Sequence, residues 1–343
     1  MSGRKCFSLL LLFAIASVLV ASPVCAQKVI KWKAQTLWSP AIVAYKTFEA
    51  FCQRVKVMSN GRLEITPYPA GAIVPTFECL DAVKNNIIQL MNQWPGYWAG
   101  KNPAFAPLSD FIYGYQQPWE IDVFFHYRGG LELLNELYKP FGVTAIGVTS
   151  QGRESFPSKY PIRSMDDYKG KKFRSPQGMT ADMLQKLGAA PVILPGPEVY
   201  SALDKGILDG TDWGTPSINY QMGLHQICKY FIYPEYRSLA VGDITVNTKA
   251  WEKLPHDLKQ ILREAGRVFF WDQVERVAMA DVEAVRKMEA AGAKAIAWEE
   301  KEVARLREFV RGTVWKEWSQ KSPMTKRVID AHIKWLKDLG RLK

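Results

Sequence analysis

Four histidines, His126, His225, His256 and His332, are the side chains able to carry a proton near neutral pH, and none stands in a His-Glu-x-x-His arrangement that would hold zinc. No serine occupies a Gly-x-Ser-x-Gly elbow, so the strained nucleophile of that form of acyl transfer is missing. Asp209 and Asp212 lie in the run Ile207-Leu208-Asp209-Gly210-Thr211-Asp212-Trp213. Three positions apart on an extended chain, they face opposite sides and cannot work as a paired acid and base. Cys52, Cys79 and Cys228 form no CxxC pair and keep no histidine at metal-ligand spacing. They leave two readings, a Cys52–Cys79 disulfide with a spare thiol or three buried thiols. Chemistry of this kind points to binding rather than catalysis. Trp38, Tyr97 and Trp213 fall at the ends of strands or in loops, where aromatic rings line small-molecule pockets or fill a core.

The elements that must position such residues begin after a leader. Arg4 and Lys5 precede an apolar run from Phe7 to about Val20, then Ala21-Ser22-Pro23-Val24-Cys25-Ala26. The run falls short of the ~20 residues of a membrane span, and Val24 and Ala26 suit a cleavage after Ala26. Ser22-Pro23-Val24 before Cys25 does not resemble a lipoprotein signal. The mature chain is longer than one core holds, which predicts two lobes. The net charge of +11, two units of which leave with the leader, is scattered among acids without a dense basic run, so nucleic acid is not an expected partner.

Val29–Leu37 reads as a strand, Ile42 to Val55 as a helix, Asn60-Gly61 as a turn, Leu63–Tyr68 as a strand, Phe77–Asn85 as a short helix and Ile87–Met91 as a buried strand. This βαβαβ order predicts a parallel sheet with ligands beyond its carboxyl ends. A second unit runs from the strand Val143–Val148 through a strand at Lys171–Pro176, a helix over Met179–Leu187, an extended Pro191–Leu194 and a helix over Glu198–Lys205 to the strand Ile207–Trp213. Tyr236–Thr248 reads as a long crossing strand. The tail holds helical patterns over Leu258 to Met288 and Val303 to Trp318, with a short strand at Ala293–Trp298 between them. The fold class expected is α/β, a two-lobe periplasmic binding protein with crossing strands at the hinge and a long C-terminal helical region. Lobe 1 takes 27–145 and lobe 2 takes 146–235, each with part of 236–300, followed by a helical region over 299–343. Amphipathic tail helices either stack on their own lobe or, through Trp315 and Trp318 if exposed, make a homodimer.

The run Gly96-Tyr97-Trp98-Ala99-Gly100-Lys101-Asn102-Pro103-Ala104-Phe105, then Gly129-Gly130 with Glu136-Leu137-Tyr138, the segment Lys171 to Trp213, and Val246-Asn247-Thr248-Lys249-Ala250-Trp251-Glu252-Lys253-Leu254-Pro255 together resemble the binding subunit of tripartite ATP-independent periplasmic (TRAP) transporters. The keto-acid-binding group of that family is the most similar. The resemblance implies a hinged cleft, a small carboxylate as ligand, preferably a 2-oxo or 2-hydroxy acid, and the membrane subunits of a TRAP transporter as partner. It makes Arg174, in Lys172-Phe173-Arg174-Ser175-Pro176, the carboxylate-binding arginine, for which a guanidinium's planar fork is suited. It places Gln151 and Trp213 at the ligand; Tyr97 and Trp38, at strand or loop ends facing the crevice, with Asn247 and Arg153, complete the residues expected around it. It also implies a cation held by Gln151, by Asp212 in place of the family's longer glutamate, and by the Trp213 carbonyl, with Na+ or Ca2+ as the hard ions that oxygen donors select. Arg237, where an acid is expected, works against that cation. Arg153 and Arg237 are a second positive pole: facing the cleft they favour a dicarboxylate, on the surface a monocarboxylate. Two alternatives remain, a periplasmic sensor partner of a membrane signalling protein, or an aromatic acid as ligand.

Overall fold

The computed structural model describes residues 29–234 and 239–342; the leader with its cleavage point, and Arg237, lie outside them. Strand β1 (Ile30–Thr36) buries Trp32 and Ala34 while Lys31 and Lys33 stay in water, the alternation of a sheet with one covered face. Helix α1 (Val43–Met58) covers it with Phe48, Phe51, Cys52 and Val55 and ends where Asn60 and Gly61 take left-handed φ of 51° and 74°. Strand β2 (Leu63–Tyr68) then pairs parallel with β1. Helix α2 (Cys79–Lys84) returns the chain to β3 (Leu90–Gln93), again parallel to β1. This strand starts later than the apolar run suggests. The Ile87 amide still bonds to Ala82 O at the end of α2, and the Ile87 side chain is 51% exposed.

Helices α3 (Phe105–Ser109), α4 (Pro118–Tyr127) and α5 (Gly130–Tyr138) lead to β4 (Val143–Arg153). The second unit follows as β5 (Lys172–Arg174), α6 (Met179–Lys186), β6 (Ala190–Val192), α7 (Val199–Asp204), β7 (Gly210–Thr211), α8 (Pro216–Gln221) and β8 (Tyr230–Ile232). Its sheet has the order β6-β5-β7, and Ser158 bridges β7 to β8. The expected strand over 207–213 shrinks to two residues, because the Ile207 and Leu208 amides both bond to Ala202 O and close α7 instead.

Strand β9 (Leu239–Asn247) is buried along its whole length and pairs antiparallel with both β3 and β4. The first sheet is therefore mixed, in the order β2-β1-β3-β9-β4, rather than wholly parallel. β4 carries register breaks at Ala145/Gly147 and Ser150/Arg153. Such breaks bend a strand, and here β4 leaves the first lobe for the second. With β9 alongside, it forms the crossing pair.

Helix α9 (Thr248–Glu252) precedes α10 (His256–Ala290), a 35-residue helix about 52 Å long at ~1.5 Å per residue. It packs on α1 and β4 at one end and on α8 at the other, so it backs both lobes. Strand β10 (Lys294–Ile296) pairs with β8. Then come α11 (Glu300–Phe309), a π-helical segment Val310–Trp315, α12 (Lys316–Ser319) and α13 (Pro323–Asp338).

Trp315 and Trp318, which the dimer alternative requires to be exposed, are each only 3% exposed. Trp315 stacks on Phe111 at 4.1 Å and donates to Ile112 O at 3.0 Å, and Trp318 Nε1 donates to Asp182 Oδ2 at 2.8 Å. The tail is thus packed on its own chain, and the apolar face that suggested a partner is satisfied internally. Cys52, Cys79 and Cys228 are buried free thiols, so the disulfide reading falls. Burial pushes the Cys79 and Cys228 thiols up to about 12, as expected of inert side chains. Among the described residues, no helix is long and apolar enough to cross a membrane.

Candidate ligand-binding site

The carboxyl ends of β1, β3, β5 and β7 point at one another across the gap between the lobes. β1 delivers Trp38, β3 delivers Trp94 and Tyr97, β5 ends on Arg174, and β7 runs into Asp212 and Trp213. Gln151 and Thr149 reach the same place from β4. Together they enclose a small cavity of about 30 Å³, more than the ~10–15 Å³ that a single water needs.

Arg174 is 1% exposed. Its Nε donates to Leu194 O at 2.8 Å, its Nη1 to the Asp212 main-chain oxygen, and its guanidinium stacks on the Trp213 ring at 4.9 Å. Two edges of the fork are thereby fixed by carbonyls and one face by an indole. The remaining nitrogen, Nη2, is buried with no hydrogen-bond partner, and so is Trp213 Nε1. A buried donor without an acceptor costs about 1–3 kcal/mol. Both donors belong to residues that line one cavity, where an acceptor, above all a negatively charged one, suits them. Trp213 holds its position because residue 196 is glycine: a Cβ there would lie 1.8 Å from Trp213 Cη2. Tyr97 has its hydroxyl beside Arg174. Burial pushes its pKa up to about 12, with the guanidinium acting in the opposite direction, so at neutral pH it is a hydroxyl donor.

The two lobes touch around this cavity. Trp38, Leu37 and Tyr45 of the first form one apolar cluster with Trp213 and Ile218 of the second, and Trp38 meets Trp213 edge-on at 5.7 Å. Val43 N donates to Gln221 Oε1 at 2.9 Å and Thr180 Oγ1 to Asp110 Oδ2 at 3.4 Å, both across the gap. The cleft is closed.

Of the residues expected around a ligand, Arg174, Gln151, Trp213, Tyr97 and Trp38 converge here, with Asp212. Two do not. Asn247 caps α9, accepting from Ala250 N at 2.9 Å and donating to Val83 O at 2.9 Å, the role its side chain fills best at a helix start. Arg153 donates to Gln116 O at 2.6 Å and lines a separate hollow with Tyr115, Trp298 and Arg307. Sequence reasoning missed Trp94, Leu37, Asp110, Thr149, Glu154 and Pro176, which also line the cavity. Trp94 stands one residue past a strand end, the same signal that found Trp38, and was legible; Asp110 is brought in by α3 and carried no local sign.

The implied cation can be tested against these donors. Gln151 donates its amide to Glu154 Oε1 at 3.3 Å, which turns its own oxygen elsewhere, and Asp212 Oδ2 accepts from Ser175 Oγ at 3.2 Å. The Trp213 carbonyl accepts no hydrogen bond among the described residues. The donors are hard oxygens on one wall of the cavity, and they fit Na+ or Ca2+ in kind. Among the described residues, no group of three His, Cys, Asp or Glu side chains is placed to hold a metal, so protein acids alone would not make the site.

Two α/β lobes, two crossing strands and a closed cleft with unpartnered donors define a periplasmic-type solute-binding protein rather than an enzyme. Residues 34–321 match the model of bacterial extracellular solute-binding protein family 7, and the chain belongs to this family, the binding component of TRAP transporters. It is 27% identical over 303 residues to a monocarboxylate 2-oxoacid-binding periplasmic protein of Nostoc sp., covering 88% of this chain and 82% of that protein. A TRAP periplasmic solute-binding protein from Rhodobacter sphaeroides in an apo open form is 32% identical, with a TM-score of 0.72 over 91% of this chain and 99% of that one. Another from Pseudoalteromonas atlantica, with bound sodium and pyruvate, is 25% identical with a TM-score of 0.83 over 92% and 96%. The more identical open form superposes less well, as expected when the difference is lobe closure rather than local fold.

Proposed function

We propose that this protein captures a small monocarboxylate, preferably a 2-oxo or 2-hydroxy acid, between its lobes in the periplasm and delivers it to the membrane subunits of a TRAP transporter, after removal of its leader behind Ala26. One observation carries the reading: Arg174 Nη2 and Trp213 Nε1 are buried, unpartnered donors on a single cavity. A carboxylate accepts from both, while the Tyr97 hydroxyl stands ready for a further oxygen. Arg174 is the one guanidinium on the cavity among the described residues, which supports one carboxylate rather than two. The 2-oxo preference is supported by the Nostoc relative and by the pyruvate held in the Pseudoalteromonas structure. Gln151, Asp212 and the Trp213 carbonyl would hold a sodium or calcium ion, which supplies positive charge to the acid's remaining oxygens.

A thermal-shift panel of keto, hydroxy and dicarboxylic acids tests this. The melting temperature should rise selectively with small monocarboxylates, because a ligand that binds only the folded state must stabilise it. Arg174→Ala should weaken binding by at least about tenfold, since a charge-assisted bond is worth roughly 1.5–3 kcal/mol, and calorimetry showing unchanged affinity would remove the assignment. Exhaustive chelation with sodium replacement should lower affinity in the wild type if the cation is bound with the acid.

A further inference from the structure

Trp94 directly follows β3, and its indole is held by the turn that comes after it. A Cβ on Gly96 would lie 2.1 Å from both Trp94 Cη2 and Cζ3, so only glycine lets the ring fold back over its own turn. Gly178 of the other lobe, at a φ of +153° that resists any side chain, leaves space beside the ring: even a Cβ built there would stand 3.7 Å from Trp94 Cη2. Tyr97 meets the same ring edge-on at 5.3 Å. The indole is therefore held by the first lobe's own turn.

Trp94 lines the Arg174 cavity but remains partly exposed, whereas Arg174 is 1% exposed. The guanidinium is enclosed, and the indole is one of the partly exposed side chains on the same cavity, with Tyr97 and Pro176. An acid whose carboxylate pairs with Arg174 has its carbon chain in the small space that the indole borders. Resting on the carboxylate reading above, we propose that Trp94 sets the upper length of the acid, admitting three- and four-carbon chains and rejecting longer ones, because the cavity is small and a longer chain must displace a ring that Gly96 and Tyr97 hold in place.

Calorimetry with pyruvate, 2-oxobutyrate, 2-oxohexanoate and 2-oxooctanoate tests the limit on wild type, Trp94→Leu and Trp94→Phe. A misfitted methylene costs about tenfold or more. The wild type should lose at least about tenfold between 2-oxobutyrate and 2-oxohexanoate. Trp94→Leu should raise the affinity ratio of 2-oxohexanoate to pyruvate by about tenfold, and Trp94→Phe, which keeps an aromatic ring over Gly96, should give a smaller rise if the leucine variant fails to fold. A ratio identical in all three proteins, or long acids bound by the wild type as tightly as short ones, overturns the proposal. If the acids bind through Arg174 while the ratio ignores Trp94, the length limit alone fails. If no acid binds the wild type, the carboxylate reading fails and takes the limit with it.

Discussion

Asp243 is fully buried on β9, next to Gly242 of the cavity wall. One carboxylate oxygen accepts from the Tyr138 hydroxyl and the other from Gln93 N at 3.3 Å. Burial dominates these bonds and pushes its pKa up to about 7. The folded state thus holds this proton more tightly than the unfolded chain, whose aspartates titrate near 3.9. The stability contributed is complete below about pH 4 and is lost as pH rises through about 7. His332 works in the opposite sense. Stacked on Phe124 at 4.0 Å and Phe111 at 4.3 Å, it is driven by burial down to about 3, and stability is lost as pH falls from about 6.5 towards that value. Asp243→Asn removes the first effect and leaves the second. In urea unfolding at a series of pH values, the variant should gain on the wild type by on the order of 4 kcal/mol between pH 4 and 8. A difference independent of pH would place the Asp243 titration elsewhere.

Among the elements, α10 does most to tie the site to the scaffold. Asp281, on its face towards the second lobe, accepts from Thr215 Oγ1 and from Ser217 N, both at 2.7 Å, and so caps α8 from outside and anchors the loop that follows Trp213. Asp281→Ala leaves two buried donors unmet and should destabilise by about 1–3 kcal/mol. Asp281→Asn keeps an acceptor and should cost less than half as much, which chemical denaturation of both variants will resolve; equal losses would show that the contact is not a hydrogen-bonded cap. α10 was also the element most legible in sequence, since Leu258, Leu262, Ala265 and Phe269 repeat at helical spacing and each is buried. Turns at Asn60-Gly61, Gly188 and Gly206 were legible for the same local reason, with left-handed φ at each. Strand lengths were less so, because β3 and β7 yield their first residues to the caps of the preceding helices. Helical spacing in the tail identified which residues share a face but not what covers it, and Phe111, Ile112 and Asp182, far away in sequence, cover Trp315 and Trp318. At the site, Arg174 was found through family likeness. Asn247, expected beside the ligand, instead has its side chain at the start of α9.

At the scale of the whole molecule, the site exists only when the lobes meet. Arg174 and Trp213 belong to the second lobe and Trp38 and Trp94 to the first, and the β4–β9 pair joins them through bent strands. A ligand that reaches both walls makes contacts in the closed form that the open form lacks, and this difference is what shifts the population. Small-angle X-ray scattering of the mature protein, with and without saturating pyruvate, measures the shift directly. The radius of gyration should fall on adding the acid to the wild type and stay unchanged for Arg174→Ala at the same concentration. An equal contraction in both proteins, or none in the wild type despite binding, would contradict a guanidinium that closes the cleft by holding a carboxylate.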